Sequence, residues 1–171
     1  MTLKKTIISL LFIIVLAGVM ISCSTGDKVA RAERRAAIAR QVSDAIMNRD
    51  FTVSVSWMKP LYGQPKHVSY GYELTVQDTT VISYLPYIGE AYNVPYGGGK
   101  ALNFTGETYD YTVQQVSHDL SRIIFTVTND EDTYLYQVEV FSNGKATIDV
   151  YARQRNPISF EGEMVFKNQP N

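Results

Sequence analysis

Residues that could perform catalysis or bind a metal are few in this chain, and their spacing matches no established pattern. The two histidines are His67 and His118, and neither belongs to an H-x-x-H or H-E-x-x-H sequence. Because Cys23 is the single cysteine, a zinc site built from several cysteines is excluded. The sequence therefore predicts a protein without a metal or another cofactor.

A serine, a histidine and an aspartate stand next to one another at Ser117, His118 and Asp119. A catalytic triad joins residues that are distant in sequence, and the G-x-S-x-G turn that presents a serine nucleophile is absent here. The acidic run from Asp130 to Asp132 lacks the spacing of a calcium loop and indicates a solvated turn. We therefore predict that the protein is not an enzyme.

The stretch from Ser83 to Lys100 concentrates tyrosines, two prolines and three consecutive glycines. Pro86 and Pro95 lack the N–H that a sheet ladder needs, so this stretch predicts an ordered connection between strands. Tyrosine rings offer rigid, amphipathic contact area for a sugar or a peptide, but they can equally pin a long connection onto a sheet. The candidate binding surface consists of Tyr84, Tyr87, Tyr92 and Tyr96.

The N-terminus has the pattern of a bacterial lipoprotein signal. Lys4 and Lys5 precede an apolar run from Ile7 to Val19, which is shorter than the ~20 residues of a membrane-spanning helix. The sequence Met-Ile-Ser-Cys follows and resembles a lipobox with Cys23 as the lipidated residue. We predict a lipoprotein signal peptide over residues 1–22, a lipidated tether over 23–27 and a membrane anchor at Cys23. An ordinary signal peptide or a short membrane anchor is the alternative.

The predicted location is the outer membrane of a bacterial cell envelope, facing the periplasm. Ser24 follows the cysteine, and no acidic cluster comes close behind it.

From Phe51 to the C-terminus, eight basic and thirteen acidic residues give a net charge of −5. Since nucleic-acid binding needs a basic surface, this acidic body excludes nucleic acid as a partner.

Residues 28–171 have the length of a single domain. Its first segment shows apolar residues every three or four positions, which predicts an amphipathic helix from about Lys28 to Asn48. The stripe that should face the sheet comprises Val29, Ala32, Ala36, Ala39, Val42 and Ile46.

From Phe51 onward the hydrophobic period changes to two, which is typical of half-buried strands, and Asn143-Gly144 is a strong hairpin signal. The sequence thus predicts an α+β fold in which the N-terminal amphipathic helix precedes a mostly antiparallel, meander-like β-sheet of about eight or nine strands. A half-barrel wrapped on the helix is the alternative arrangement.

Three segments carry a resemblance to a known family: SYLPYIGEAY at residues 83–92, PYGGGKALNF at 95–104, and FSNGKATIDVYARQRNPISFEGEM at 141–164. Through them the chain, from about Phe51 to Phe166, resembles the Bacteroides-type lipoprotein family catalogued as domain of unknown function 4251. The resemblance implies a lipobox, a leading helix and a β-rich domain. It implies no established activity and no catalytic residues.

We therefore expect a non-catalytic, membrane-anchored envelope lipoprotein that acts as a binding or interaction module for a glycan, a peptide or an envelope protein. A structural or inhibitor-like protein-interaction domain is the first alternative, and it requires an exposed apolar patch on the sheet. An envelope hydrolase is the second alternative. It requires a concave pocket that holds His67 or His118 together with a carboxylate.

Overall fold

A computed structural model of the chain describes residues 23–69, 71–92 and 99–166. The predicted signal peptide of residues 1–22 and the candidate Tyr96 lie outside the described residues. The chain divides into two compact units, one ending at Ala37 and the other beginning at Ile38.

Helix α1 extends from Cys23 to Met47 and is the first element of the chain that the structure describes. The helix begins at Cys23, the predicted lipidation residue. Residues 23–27, which the sequence predicted as a tether, are therefore helical, and so is the predicted helix from Lys28 onward. Over the part of the chain that is described, no helix is long and apolar enough to cross a membrane.

The predicted apolar stripe of α1 is confirmed over its second half. Val42 and Ile46 are buried in the hydrophobic core, and Ile38 and Ala45 pack against it. By contrast, every side chain from Asp27 to Ala37 is exposed, which includes Val29. Helical periodicity thus predicted correctly that Val42 and Ile46 share the buried face.

In the part of the chain that the structure describes, nine strands follow the helix, and each pairs with its neighbours in antiparallel fashion. They are β1 (Asp50–Pro60), β2 (Lys66–His67), β3 (Glu73–Gln77), β4 (Thr80–Tyr84), β5 (Asn103–Ser117), β6 (Leu120–Thr128), β7 (Thr133–Phe141), β8 (Lys145–Ala152) and β9 (Ile158–Val165). The predicted helix followed by an antiparallel meander is thereby confirmed.

Eight of these strands, β1 and β3 to β9, close into a barrel because β1 also pairs with β9. This seam runs from Thr52 opposite Val165 to Pro60 opposite Ile158. The short strand β2 pairs with β1 at Trp57 and Met58. The sheet is therefore closed, in keeping with the barrel-like alternative rather than with an open sheet.

Inward-facing side chains fill the barrel. Phe125 stacks on Tyr136 with ring centroids 5.1 Å apart, and Phe104 stacks on Tyr134 at 4.8 Å. The Tyr136 hydroxyl donates to Ser83 Oγ at 3.0 Å, which satisfies this polar group in the core. Each large apolar side chain buried in this way contributes about 1.5–3 kcal/mol to folding.

Strand β5 is continuous through Gly106. β5 runs from Asn103 to Ser117, and Gly106 pairs with Val81 of β4. A Cβ added at Gly106 would lie 2.6 Å from Val127 Cγ1, so the glycine leaves room for this core side chain. The glycine here reflects packing and does not end a strand.

Candidate functional site

Tyr84 ends β4 and stacks on Tyr72 on the outer surface, with ring centroids 5.3 Å apart and an interplanar angle of 26°. Its backbone pairs with Glu73 on one side and Asn103 on the other. Because both neighbouring strands hold it, the exposed ring is carried on rigid sheet.

Tyr87 and Tyr92 converge on one residue, Asn156 in the loop between β8 and β9. The Tyr87 hydroxyl lies 3.0 Å from Glu90 O and 3.1 Å from Asn156 O, and it donates to these carbonyls. The Tyr92 hydroxyl donates to Asn156 Oδ1 at 2.7 Å. Two of the four predicted tyrosines thus share Asn156, whereas Tyr84 stacks on Tyr72.

The backbone of the β4–β5 connection is tied to the same β8–β9 loop. Ala91 forms an isolated antiparallel bridge with Arg155. The Tyr92 N–H donates to Gln154 O at 2.8 Å, and the Asn156 N–H donates to Glu90 O at 3.1 Å. These bonds hold the described part of the connection in one conformation.

A buried ion pair lies beside these tyrosines. Arg155 Nη2 donates to Glu131 Oε2 at 2.6 Å, and the two side chains are 5% and 7% exposed. The Arg155 guanidinium also lies 5.7 Å from the centre of the Tyr87 ring. Gly99 passes close to the pair, because a Cβ there would lie 2.6 Å from Glu131 Oε2.

The prediction of a solvated acidic turn at Asp130 to Asp132 is therefore wrong for two of its three residues. Asp132 is buried, and its carboxylate accepts from the N–H groups of Arg153 and Gln154 at 3.2 and 2.9 Å. Glu131 is held by Arg155, and Asp130 alone stays exposed, with a surface contact to Lys100. The acidic turn is a structural part of the barrel end.

Burial raises the pKa of the Tyr87 hydroxyl, although the charge of Arg155 and the hydrogen bond to Asn156 oppose this effect. The phenol stays protonated at neutral pH and remains a hydrogen-bond donor. Three buried side-chain nitrogen atoms in this region have no acceptor among the described residues. They belong to the side chains of Asn129, Arg155 and Asn156.

Sequence reasoning missed the partners of the tyrosines. Tyr72, Glu131, Arg155 and Asn156 were not candidates, since they lie in other segments and show no motif. The turn-forming residues Asn156 and Pro157 were the available signal, because every second connection of an antiparallel meander lies at the same end of the sheet.

A groove of about 380 Å³ is lined by His118 and Asp119 together with Ser121 and Ser142, but not by Ser117. His118 Nδ1 lies 3.0 Å from Asp119 Oδ1, and Ser142 Oγ donates to this same oxygen at 3.2 Å. The hydrogen bond from His118, followed by that from Ser142, lowers the pKa of Asp119. The groove holds His118 together with the carboxylate of Asp119, which is the arrangement that the hydrolase alternative requires.

The order of the contacts differs from that of a catalytic triad. In a triad the serine bonds to the imidazole, whereas Ser142 and His118 both bond to the aspartate. The His118 side chain is 97% exposed, so solvent surrounds it. His67 lies elsewhere, in β2, with its ring 5.4 Å from that of Trp57 in an edge-to-face contact.

Among the residues that the structure describes, no three His, Cys, Asp or Glu side chains lie close enough together to hold a metal ion. Cys23 is the first residue of α1, and this position is all that the structure shows of it.

A family model described as "Domain of unknown function (DUF4251)" matches residues 33–164. A crystal structure of a DUF4251 family protein from Bacteroides eggerthii is similar to this structure, with a TM-score of 0.58 and 14% sequence identity. The similarity covers 77% of this chain and 91% of that one, and at this identity it shows the fold alone. No curated protein matches the sequence. Because the family model covers most of the chain, the protein belongs to the DUF4251 family.

Proposed function

We propose that this protein is a non-catalytic envelope lipoprotein, anchored in the outer membrane through Cys23, that binds a ligand with the exposed faces of Tyr84 and Tyr92. The lipobox-like sequence at the N-terminus supports the anchor. The tyrosine geometry supports the binding role.

One observation carries the proposal. Tyr92 is 69% exposed, yet its hydroxyl and its backbone N–H are both fixed, the first by Asn156 and the second by Gln154. An exposed ring that is free to rotate loses about 0.5–1.5 kcal/mol of entropy when a ligand immobilises it. Tyr92 is ordered before binding, so less of this cost falls on the binding step.

The surface suits a glycan or a peptide. Tyr84, Ile88 and Tyr92 are all exposed and present two aromatic rings and one aliphatic side chain. Ring faces of this kind stack on the apolar face of a sugar or on peptide side chains. The nearby acidic side chain of Glu90 would disfavour a strongly anionic ligand.

A second candidate function, a structural or inhibitor-like protein-interaction domain, is favoured by one row on the barrel wall. Tyr109 pairs with Thr126, Thr126 with Leu135, and Leu135 with Tyr151, so the four side chains lie side by side across β5 to β8. Tyr109, Leu135 and Tyr151 are all exposed. A continuous exposed row with apolar members is a feature of surfaces that meet other proteins.

The binding proposal is tested by co-sedimentation of the full chain, in detergent, with purified peptidoglycan sacculi, which contain both sugar and peptide. The Tyr84→Ala/Tyr92→Ala variant should lose binding, whereas Tyr62→Ala, at an exposed tyrosine outside this surface, should retain it. If the row on the barrel wall is the site instead, Tyr109→Ala/Tyr151→Ala should lose binding and the first variant should not. Equal binding by all variants would refute both candidates for this probe.

The anchor is tested separately by fractionation of cells. The wild-type protein should sediment with outer membranes, and Cys23→Ala should not be lipidated and should leave that fraction. Wild-type protein in the soluble fraction would contradict the anchor and leave the binding test unaffected.

A further inference from the structure

The outer edge of β5 is open over the second half of the strand. β4 pairs with Asn103 to Glu107 on one edge, and β6 pairs with Thr108 to Ser117 on the other. Within residues 23–69, 71–92 and 99–166, no strand pairs with the β4-side edge beyond Glu107. An open edge carries unpaired N–H and C=O groups that a further strand can bond.

The sequence of this edge lacks the charged residues and prolines that usually block strand addition, and β5 has register irregularities between Tyr109 and Thr112 and between Gln115 and Ser117. Tyr111 to Ser117 reads YTVQQVS and contains no charged residue, no proline and no glycine. Every residue from Thr112 to Ser117 is exposed. Uncharged segments rich in β-branched residues are those that accept a further strand most readily.

A groove of about 420 Å³ lies beside this half of β5. It is lined by Tyr111, Val113 and Gln115, which alternate along β5 and so share one face, and by Ile46, Met47 and Arg49. The Tyr111 hydroxyl donates to Ile46 O at 3.1 Å, which fixes the strand to the end of α1. Met47 and Val113 are exposed and supply apolar surface for a side chain.

Arg49 gives the groove a charged end. Its guanidinium lies 4.6 Å from the centre of the Tyr111 ring, and its backbone has a φ of 53°, an unfavourable value for arginine. The Asp78 N–H donates to Arg49 O at 2.8 Å, and the Thr108 N–H donates to Thr79 O at 2.7 Å. The β3–β4 turn is therefore bonded to Arg49 and to β5 at the point where the pairing of β5 with β4 ends.

The direction of an added strand follows from these contacts. A strand antiparallel to β5 would begin beside Ser117 and end beside Tyr111, where the β3–β4 turn stops it. Its C-terminal carboxylate would lie near the Arg49 guanidinium, an arrangement that charge complementarity favours.

We propose that the open edge of β5 binds an extended peptide as an added antiparallel strand, with apolar side chains over Met47 and Val113 and its terminal carboxylate beside Arg49. The bonds to the backbone would provide affinity, and the groove would select side chains at alternate positions. This site is separate from the tyrosine surface and does not depend on it.

The test uses the peptide acetyl-Thr-Val-Thr-Val-Thr-Val with a free carboxylate and the same peptide as a C-terminal amide. Each is titrated into the full chain in detergent, and amide chemical shifts are followed by NMR. The shifts should concentrate at residues 110–117, and the amide should bind about threefold more weakly because it lacks the charge. Shifts elsewhere on the barrel, or equal affinities, would overturn the proposal.

Two variants sharpen the test. Val113→Lys should weaken peptide binding at least about fivefold, because it places a charge in the groove. Val116 does not line the groove and is similarly exposed (45% against 39%), so Val116→Lys should bind as the wild type does. Arg49→Gly relieves the backbone strain and removes the charge, so it should abolish the difference in affinity between the peptide with a free carboxylate and its C-terminal amide. Self-association through this edge that the peptide cannot displace would instead assign the edge to a second copy of the chain.

Discussion

Arg155 and Glu131 form a buried ion pair that joins the β8–β9 loop to the β6–β7 turn, with 2.6 Å between Nη2 and Oε2. Glu131→Gln removes the negative charge and leaves the guanidinium buried without its partner. We expect the free energy of unfolding to fall by about 3–5 kcal/mol. Urea denaturation followed by circular dichroism measures the change.

The neighbouring residue provides a matched control. Asp130 contacts Lys100 at 3.3 Å on the surface, and both side chains are mostly exposed. Asp130→Asn should therefore change the free energy of unfolding by less than about 1 kcal/mol. Similar losses for the two variants would contradict a special role for the buried pair.

Gly162 lies where β9 closes the barrel against β1. A Cβ at this position would lie 2.0 Å from the Ser54 carbonyl oxygen, so the backbone of one strand has to move. Gly162→Ala should destabilise the fold by about 3 kcal/mol, at the upper end of the range for overpacking. Gly106→Ala meets a side-chain methyl of Val127 and should cost less. Thermal unfolding of both variants gives the comparison, and an equal or reversed order would argue against a tight seam.

The buried hydrogen bonds of Ser83 predict an asymmetry. Ser83 Oγ accepts from Tyr136 and donates to Leu102 O at 2.7 Å. Ser83→Ala leaves the Tyr136 hydroxyl and the Leu102 carbonyl without this partner, and should cost about 1–3 kcal/mol. Tyr136→Phe keeps the bond from Ser83 to Leu102 and should cost less. Denaturation midpoints in urea compare the two variants. A lower midpoint for Tyr136→Phe than for Ser83→Ala would contradict the prediction.

Tyr111 makes stability depend on pH in the alkaline range. Burial raises the pKa of Tyr111 to about 12 from its ordinary value of 10.0, while the charge of Arg49 opposes the rise. The folded state thus holds the proton more tightly than the unfolded state, so this contribution is complete below pH 10 and is lost as the pH rises toward 12. The free energy of unfolding of Tyr111→Phe should fall less steeply with rising pH in this window than that of the wild type. Parallel curves of unfolding free energy against pH would contradict the assignment.

Local pattern was sufficient for the elements of the fold and their order. The two-residue period predicted the strands, and Asn143-Gly144 predicted the β7–β8 hairpin, where Gly144 has a φ of 86°. Neighbouring antiparallel strands follow from short turns, which are local features. The closure of the barrel is different, because Thr52 and Val165 meet across most of the chain and no local pattern names that partner.

The candidate site was predictable only in part, for a related reason. The composition of residues 83–100 marks the tyrosines, but the partners that fix them lie in distant loops, as Asn156 does for Tyr87 and Tyr92. The acidic turn looked solvated because its burial depends on Arg155, a partner 24 residues away in sequence. Ionic and hydrogen-bond partners across loops are set by the tertiary fold.

The central claim is that the exposed ring of Tyr92 contacts the ligand. Its most direct test is the dissociation constant of the full chain for peptidoglycan sacculi, compared among wild type, Tyr92→Ala and Tyr92→Phe. We predict that Tyr92→Ala weakens binding by about fivefold or more. Tyr92→Phe keeps the ring and loses only the hydroxyl bond to Asn156, so it should bind within about threefold of wild type. Unchanged binding by Tyr92→Ala, or equal losses in both variants, would contradict the claim.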